Sequence, residues 1–524
     1  MENSICITGI KRRAGNWSRR SHIDPGGSDR TCYYLQVTAD QSGGDNIRED
    51  YQRKLRDLSR QRMRKKRLAR KYVCGEVTVY LTLIFVLFIS LVLALVESAS
   101  IQMAKNYRRA DMNRAIECVF AEYQKELLEN YDVFAIEAGY ESGNYEEQNI
   151  LERLVYYGAD MENEIKRIQL LTDKDGKLFM DQVGKYMKHK YGISWADKYL
   201  GSTSMWKDQK QRADELTKEE KLQEDHMQEL LEEQEMELPD EENPMEHIAA
   251  LKNSSLLHLV VPEGKQVSEK KVHLADMPEN RKNKTGYGTF EDVETEEGTL
   301  SAVMLGEYVQ EHFSGFLDEP KGGSLDYEVE YILAGKESDK ENLETVAKKL
   351  LLLRFVPNYI YLQTNSEKQA EARAAAGTLC TLLAVPAITE AAAQGILLAW
   401  AYGESVMDVR TLLNGKKVAA VKDDTSWQLS LSGLMKLGTE EDIGDGADVE
   451  GGMEYRDYIR MLLFLEGKEK MSMRTMGIIE KNMQSLYNQP KFRIDYCVGR
   501  MEVSTVCKLR RGIQYRYQTY YGYQ

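Results

Sequence analysis

The stretch VTVYLTLIFVLFISLVLALV, residues 77–96, decides how the rest of the chain is interpreted. It is a run of twenty uncharged residues, and a helix of that length covers roughly the 30 Å hydrocarbon core of a bilayer. A cleavable secretory signal has a shorter apolar region. Residues 77–96 are therefore predicted to form a transmembrane helix that contacts the lipid bilayer. Ser98 and Ser100 follow this run and leave cleavage by signal peptidase as an alternative.

The distribution of charge predicts the orientation of this helix. Between Arg53 and Lys71 there are eleven Lys or Arg residues and one acid, Asp57. Basic residues stay on the cytoplasmic side, so we expect a single-pass protein of the cell membrane with a cytoplasmic N-terminus and an extracellular body. Residues 1–76 carry 18 basic and 9 acidic side chains, and the remaining chain carries 52 and 75. An acidic body argues against nucleic-acid binding, and a basic run beside a membrane span is better explained by topology and lipid headgroups.

The predicted fold class is α+β and predominantly helical, with a small antiparallel sheet. Pro is scarce, with 9 residues, and Met is common, with 22, which is typical of a helical protein. We expect the chain to be organised as five segments. They are a basic, largely disordered segment (1–76), the transmembrane helix (77–96), a stalk helix with a first helical region (97–206), a charged insertion and loop region (207–298), and a helical core with C-terminal strands (299–524).

Apolar residues at three- and four-residue steps predict most of the helices. Such a pattern from Ile101 to Leu127 predicts a stalk helix that ends near Asn130, and helices are also expected at about 146–171 and 177–191. Asn243 before Pro244 predicts a helix start. Capping boxes are predicted at 338–341 and 366–369. Residues 374–402 are predicted to be a buried helical hairpin, because Pro386 and Glu390 divide them into pieces too short for a second span, and a last helical pair covers 454–488.

Alternating apolar and polar residues predict the strands. The pattern occurs in YDVFAIE (131–137), LDYEVEYIL (325–333), SWQLSLS (426–432) and along 491–523, where Arg510, Arg511 and Gly512 indicate a turn. In LDYEVEYIL the acids Asp326, Glu328 and Glu330 share one face, which is expected to be exposed. We expect 326–333 to pair with a C-terminal strand in one sheet, with the apolar residues of both on the buried face.

A search for catalytic, cofactor or metal motifs finds none in the sequence. The seven His residues form no HExxH motif or close ligand pair, and there is no GxSxG, Walker loop or GxGxxG after a strand. The seven Cys residues show no zinc spacing. Only Cys497 and Cys507 are close enough to each other in the sequence to suggest a disulfide. No catalytic, cofactor-binding or metal-binding residue is therefore predicted.

Several blocks of the sequence resemble known proteins. CGEVTVYLTLIFVLFISLVLALVESA (74–99) is similar to the N-terminus of TadE/TadG-like proteins of tight-adherence (Flp) pilus systems. IECVFAEYQKELLENYDVFAIE, YEVEYILAGKESDKENL, SEKQAEA, ILLAWAYGESVMDVRTLLNGKKV and YRDYIRMLLFL resemble, in this order, a clostridial family of unknown function. The resemblance implies a singly anchored envelope protein encoded among pilus-assembly genes, with pilus-assembly proteins as partners. Gly75 and Glu76 are the candidate processing residues by analogy with prepilins, although the acid expected five residues after the glycine is replaced by Tyr80.

Three functions follow from these observations. The leading hypothesis is an outward-facing envelope protein with an accessory role in Flp/Tad-type pilus assembly or surface adhesion, and not an enzyme. The first alternative is a membrane-anchored extracellular hydrolase that acts on cell wall or glycan, supported by abundant carboxylates and aromatic residues. The second is a structural scaffold that forms a homo-oligomer through the 101–130 helix.

Overall fold

The structure, a computed structural model, describes most of the chain after residue 44. It covers residues 45–192, 195, 199–233, 235, 238–239, 243–290, 298–380, 386–442 and 444–523, with side chains at all of these except 45–51, 66–76 and 386–387. The chain is 63% helical and carries a small antiparallel sheet, which is compatible with the predicted α+β class.

Within the described residues the helices follow one another along almost the whole chain. They are α1 (Asp45–Phe120), α2 (Lys125–Tyr131), α3 (Glu147–Tyr156), α4 (Asp173–Tyr191), α5 (Thr203–Glu233), α6 (Pro244–Asn253), α7 (Leu256–Val260), α8 (Gly298–His312), α9 (Glu328–Ala334), α10 (Asp339–Thr364), α11 (Ser366–Leu379), α12 (Pro386–Leu413), α13 (Leu431–Leu434), α14 (Tyr455–Glu466) and α15 (Lys468–Ser485). The strands are β1 (Ile136–Glu137), β2 (Glu162–Leu170), β3 (Cys497–Lys508) and β4 (Gln514–Gly522).

The chain divides into two units, Met1–Glu97 and Ser98–Gln524. In the first unit, α1 contains a helical stretch long and apolar enough to cross a membrane. The large apolar side chains between Val77 and Val96 are 40–68% exposed. Residues 45–76 were expected to be disordered but are helical, because they are rich in the strong helix formers Arg, Lys, Leu and Gln. Residues 1–44 lie outside the described part of the chain.

The second unit is built around a large hydrophobic core formed by its helices. Side chains from Leu127 to Cys497 contribute to this core, which therefore crosses the predicted segment boundaries at 206 and 298. The predicted hairpin of 374–402 is present as α11 and α12, and α12 packs against α10. Trp400 of α12 is fully buried and lies edge-on to Trp427, with ring centroids 5.7 Å apart. This helical block carries the polar sites described below.

The sheet is organised around β3, which pairs antiparallel with β1, β2 and β4. In the register with β2, Ile165 lies opposite Val503, and in the register with β4, Val503 lies opposite Thr519. The predicted C-terminal hairpin is confirmed, and its turn includes Arg511 with a φ of 61°. A second hydrophobic cluster joins the sheet to the end of α1, where Met112, Ile116 and Phe120 are buried.

Two helices predicted between residues 101 and 171 have other bounds in the structure. The stalk helix ends at Phe120, and α2 is a separate helix rather than its continuation. The helix expected at 146–171 is divided at Gly158, whose φ of 98° lies outside the helical region. Residues 162–170 after this break form β2. Ile165 and Ile168 are three residues apart, which suits one face of a helix, but an irregularity in β2 between Ile165 and Arg167 lets both be buried in a strand.

The predicted strand at 326–333 is wrong. Residues 328–334 form the short helix α9, which ends at Gly335 in the left-handed conformation (φ 64°). Both alternating sets of side chains are buried, since Glu328, Glu330 and Leu333 are each 0–1% exposed. The predicted pairing of 326–333 with a C-terminal strand is therefore also wrong, and β2 occupies that position instead.

The predicted strand at 426–432 is wrong as well. Trp427 and Leu429 face inward as the alternation suggested, but the side chain of Glu404 accepts the amide hydrogen of Leu429 at 2.7 Å. The indole nitrogens of Trp400 and Trp427 donate to the Leu429 carbonyl oxygen at 2.8 and 2.6 Å. Side chains thus satisfy the backbone that a neighbouring strand would otherwise have satisfied.

The predicted helix starts have mixed outcomes. The Ser338–Glu341 capping box is confirmed, and so is the Asn243 cap, whose side chain accepts from the Met245 amide. The capping box at 366–369 is wrong by one residue. Asn365 is the cap of α11, because its side-chain oxygen accepts from the amides of Glu367 and Lys368, each at 3.0 Å.

Candidate functional site

The segment between α8 and α9 gathers three carboxylates, of which Glu328 and Glu330 are buried and Asp318 is exposed. Val329 donates its amide hydrogen to the Ser314 carbonyl oxygen at 3.1 Å, which holds the start of α9 against this segment. Three consecutive amides then each donate to a different carboxylate: Ser314 to Glu328 at 2.9 Å, Gly315 to Asp318 at 2.8 Å, and Phe316 to Glu330 at 2.9 Å. Three adjacent amides therefore each hold one carboxyl group.

Glu330 is the most unusual of these carboxylates. It is fully buried, and its Oε1 accepts from the Tyr455 hydroxyl at 2.6 Å and from the Phe316 amide. Its Oε2 has no hydrogen-bond partner among the described residues. Burial raises the pKa of Glu330 to about 7, and the bonds from Tyr455 and Phe316 offset only part of that effect. The carboxyl group therefore changes charge near neutral pH.

A cavity of about 180 Å³ opens beside Glu330. Its polar lining comprises Gln310, Asp318, Glu330, Glu454, Tyr455 and Arg456. The Gln310 side chain is 5% exposed, and neither its amide oxygen nor its amide nitrogen has a partner in the part of the chain that is described. Arg456 donates instead to the backbone carbonyl oxygen of Gln310, at 2.6 Å. The cavity thus combines excess negative charge with unused hydrogen-bonding capacity.

This arrangement can bind a cationic or hydrogen-bond-donating group. Most small-molecule sites measure about 300–1,000 Å³, so a cavity of about 180 Å³ suits a group the size of one side chain. A carboxyl group with a pKa near 7 can also transfer protons, as general acid–base catalysis requires. The amides that hold Asp318 and Glu330 fix both carboxylates in place, which pre-organises the cavity.

A second polar cluster lies fully inside the helical block, and its charges are balanced. Arg354 Nε donates to Asp408 at 3.0 Å, and Lys422 donates to Asp408 at 2.8 Å and to Glu404 at 2.5 Å. Asn358 donates to Asp408 at 2.9 Å. Burial alone would raise the pKa of Asp408, but Arg354 and Lys422 hold it below its usual value. This cluster resembles a structural ion network rather than a site.

A third polar region is an open cleft of about 620 Å³. Its lining includes five basic side chains, those of Arg281, Lys282, Lys481, Lys491 and Arg493. The two arginines are already engaged, because Arg281 pairs with Glu480 and both arginines pair with Asp495. Three surface lysines are left to attract an anion, which makes this cleft a weaker candidate than the Glu330 cavity.

Comparison with known families identifies the second unit. A model described as a family of unknown function (DUF5702) matches residues 234–509, more than half of the chain. The chain belongs to this family. Comparison with curated proteins and with solved structures finds no match. All the residues that line the Glu330 cavity, and the whole Arg354–Asp408–Lys422 network, lie within the DUF5702 segment.

None of the site residues predicted from sequence is among the described residues that line the Glu330 cavity. Gly75 and Glu76 are inside α1, where their side chains are not described, so processing there stays a prediction. Cys497 and Cys507 are free thiols at opposite ends of β3. Ten residues of strand separate them by roughly 33 Å, far beyond the span of a disulfide, so the predicted bridge is wrong. Within the described ranges, no group of three or more His, Cys, Asp or Glu side chains is placed to hold a metal ion.

The sequence did not predict the residues that form the Glu330 cavity. Glu330 was interpreted as one of the exposed acids of a strand, and Gln310 and Tyr455 lie in ordinary helical patterns. The available signal was Gly335, because a glycine five residues after the second of two acids is consistent with a short helix that has acids in its first turn. Burial of those acids has no signature in a single sequence.

Proposed function

We propose that this chain is a single-pass, outward-facing envelope protein with an accessory role in Flp/Tad-type pilus assembly or surface adhesion. The observation that carries the proposal is the apolar run of α1. Side chains such as Leu87 (68% exposed) and Phe85 (63% exposed) would be placed in water without a membrane. Burial in hydrocarbon gains roughly 25 cal/mol for each Å² of such surface. A lipid bilayer is the environment that fits residues 77–96.

The orientation follows from the basic run between Arg53 and Lys71. With this run in the cytoplasm, the acidic DUF5702 body lies outside the cell. The link to pili rests on the similarity of residues 74–99 to TadE/TadG-like proteins and on the likeness of the later blocks to a clostridial envelope family. That resemblance implies a gene placed among pilus-assembly genes, so pilus-assembly proteins are the proposed partners.

Protease treatment of intact cells tests the topology. After removal of the wall, added protease should digest residues beyond 97 while a cytoplasmic marker protein stays intact. A matched variant replaces Arg64, Lys65, Lys66 and Arg67 with Gln, which weakens the positive-inside signal. In that variant part of the body should become protected. Full protection of the natural chain, with digestion only after the membrane is permeabilised, would overturn the orientation.

Gene deletion tests the role itself. Loss of the chain should reduce surface pili or adhesion, and the full chain should restore them. A matched variant that carries Lys at positions 85, 88 and 92, in place of Phe85, Phe88 and Val92, abolishes the apolar run and should fail to restore them. Normal pili and normal adhesion in the deletion strain would contradict the proposed role.

A membrane-anchored hydrolase is the second candidate, and the Glu330 cavity is the observation that favours it. Glu330 and Asp318 are two neighbouring carboxylates, as many glycosidases require. The cavity, however, is the size of one side chain, whereas a wall or glycan polymer needs an extended cleft. Release of labelled fragments from purified cell wall by the natural chain, and its loss in Glu330→Gln, would favour hydrolysis over binding.

The scaffold alternative places a homo-oligomer contact on the 101–130 helix. In the structure Met112, Ile116 and Phe120 on that face are 0–1% exposed and pack against the chain's own sheet. Tyr521 and Tyr523 lie over Phe120, with ring centroids 4.6 and 5.1 Å away. This face of the helix is therefore covered by the chain itself, whereas Met103 and Tyr107 on the same helix are 58% and 65% exposed.

A further inference from the structure

We propose that the cavity beside Glu330 binds an alkylammonium group, namely a lysine side chain presented by a partner protein. The cavity lies between the 313–318 segment and the start of α14, and it is independent of the proposed membrane topology. Its polar groups, its charge and its walls each point to this ligand.

The polar groups of the cavity are incompletely used. Glu330 Oε2 and the oxygen and nitrogen of the Gln310 amide are buried and have no partner within the described chain. A buried polar atom without a partner destabilises a folded protein, and most native proteins carry few of them. Two such side chains at one cavity are explained if a ligand completes their hydrogen bonds. An ammonium group has three N–H donors, and Glu330 Oε2 and the Gln310 amide oxygen are both acceptors.

The charge of the lining selects a cation. Asp318, Glu330 and Glu454 contribute three carboxylates, and Arg456 is the one basic group among the described lining residues. Lys265 lies near these carboxylates as well, but its ammonium donates to the Phe316 carbonyl oxygen at 2.8 Å and stands 3.8 Å from the Phe316 ring centroid. An anionic ligand would meet net repulsion, whereas a cation would be attracted.

The walls and the volume select a flexible apolar stem. Leu317, Val329 and Ile459 contribute apolar surface to the same cavity. A lysine side chain has four methylenes that pack against such surface and a compact head that carries the charge. The guanidinium of arginine is planar and broader, so it fits a cavity of about 180 Å³ less well.

The charge of Glu330 makes binding depend on pH. The titratable or charged groups around it are Lys265, Asp318, Tyr327, Glu454, Tyr455 and Arg456. A lysine ammonium stays protonated up to about pH 10, so a change in affinity between pH 6 and pH 8 reports on Glu330. Because burial raises the pKa of Glu330 to about 7, we expect roughly tenfold tighter binding at pH 8 than at pH 6.

Calorimetric titration of the full chain in lipid nanodiscs tests the proposal. The ligand is Nα-acetyl-lysine methylamide, and the control ligand is Nα-acetyl-norleucine methylamide, which has a stem of the same shape without the ammonium. We expect the lysine ligand to bind at least tenfold more tightly than the norleucine ligand. Equal binding of the two, or no binding of the lysine ligand at pH 8, would overturn the proposal.

Two variants assign the binding to the cavity. Glu330→Gln keeps the shape and removes the charge, so affinity should fall at least tenfold and the pH dependence should disappear. Glu319→Gln, at an exposed neighbouring carboxylate, should leave both unchanged. Gln310→Leu removes the unpartnered amide, so affinity should fall several-fold while the melting temperature stays the same or rises. If Glu330→Gln does not fold, the affinity of Gln310→Leu for the lysine ligand still tests the proposal. Unchanged affinity in Gln310→Leu contradicts it.

Two further ligands distinguish the source of the ammonium. Cadaverine represents a small free amine, and Nα-acetyl-arginine methylamide represents the alternative cationic side chain. Weaker binding of both than of the lysine ligand supports a lysine of a partner protein. Tighter binding of cadaverine overturns the partner-protein assignment in favour of a free amine, and tighter binding of the arginine ligand overturns the alkylammonium assignment.

Discussion

Asp408 and Glu330 are both carboxylates buried in the helical body, yet they are held in opposite ways. Asp408 is 2% exposed and lies between Arg354 and Lys422, with its oxygens fully engaged. Glu330 is 0% exposed and receives hydrogen bonds from Phe316 and Tyr455, both neutral donors. Equal burial therefore comes with a negative charge in one place and a titrating group in the other.

This contrast shows that counter-ions, and not burial alone, decide what a buried acid does. Arg354 and Lys422 keep Asp408 negatively charged, and removal of either would leave the buried cluster with one uncompensated negative charge. Glu330 has a spare oxygen beside a cavity and no cation in direct contact within the described structure. The first arrangement stabilises a fold, and the second leaves a group free to respond to a ligand or to pH.

Removal of a cation from the Asp408 network should have the largest effect. Lys422→Met leaves Glu404 and Asp408 buried without their shared ammonium group, so we expect the free energy of unfolding to fall by about 3–5 kcal/mol. Urea unfolding followed by tryptophan fluorescence is a suitable measurement, because Trp400 and Trp427 lie in the same helical block.

An exposed lysine provides the matched control for this loss. Lys436 pairs with Glu441 at the surface, at 2.8 Å, and both side chains are more than half exposed. Lys436→Met should leave the unfolding curve unchanged, since exposed pairs contribute little. If Lys422→Met were as mild as Lys436→Met, the distinction between the buried network and a surface pair would be lost.

Removal of the charge at Glu330 should act in the opposite direction and depend on pH. The unfolded chain releases this proton near pH 4.5 and the folded chain releases it near pH 7, so the natural protein loses stability as pH rises through this range. Glu330→Gln has no such loss. We expect the variant to be more stable than the natural protein by about 3 kcal/mol at pH 8, with the gap closing towards pH 4.

Melting curves of both proteins from pH 4 to pH 8 check this expectation. The comparison of the two removes the contribution of other titrating groups, which both proteins share. A difference that stays constant with pH would mean that Glu330 has an ordinary pKa in the folded chain, and the contrast with Asp408 would then fail.

The smallest predicted effect concerns the donor that faces Glu330. Tyr455→Phe removes the hydroxyl that donates at 2.6 Å, so we expect a loss of about 1 kcal/mol. It should also move the pH midpoint of the Glu330 effect upward, because this bond lowers the pKa. Tyr331→Phe is the control, since its buried hydroxyl has no described partner and its removal should cost nothing. Equal losses in both variants would show that the Glu330 bond contributes no more than packing.

Local signals in the sequence predicted a large part of this fold. The apolar run of 77–96, the caps at Ser338 and Asn243 and the turn at 510–512 act through contacts within a few residues, so they are visible without tertiary information. The strands predicted at 326–333 and 426–432 failed because alternation cannot distinguish a half-exposed strand from a segment that is buried on every side.

The candidate site was hidden from the sequence for a related reason. Acids such as Glu328 and Glu330 are usually solvated, and donors that include the amides of Ser314 and Phe316 make their burial tolerable. The amides of Ser314 and Phe316 lie 14 residues away from their partners in the chain. The network around Asp408 likewise joins Arg354, Asp408 and Lys422 from separate elements, and no short sequence motif indicates it.

The pairing of β3 has a consequence for how this protein is cut into pieces. The DUF5702 segment includes β3, but β1 and β2 precede residue 234 and β4 follows residue 509. A fragment of residues 234–509 would therefore present a central strand with two open edges, which invites aggregation. The residues that match the family model therefore do not include all the strands of the sheet. The strands β1 and β2 also precede β3 by most of the length of the body, so they have no partner strand until β3 has been synthesised.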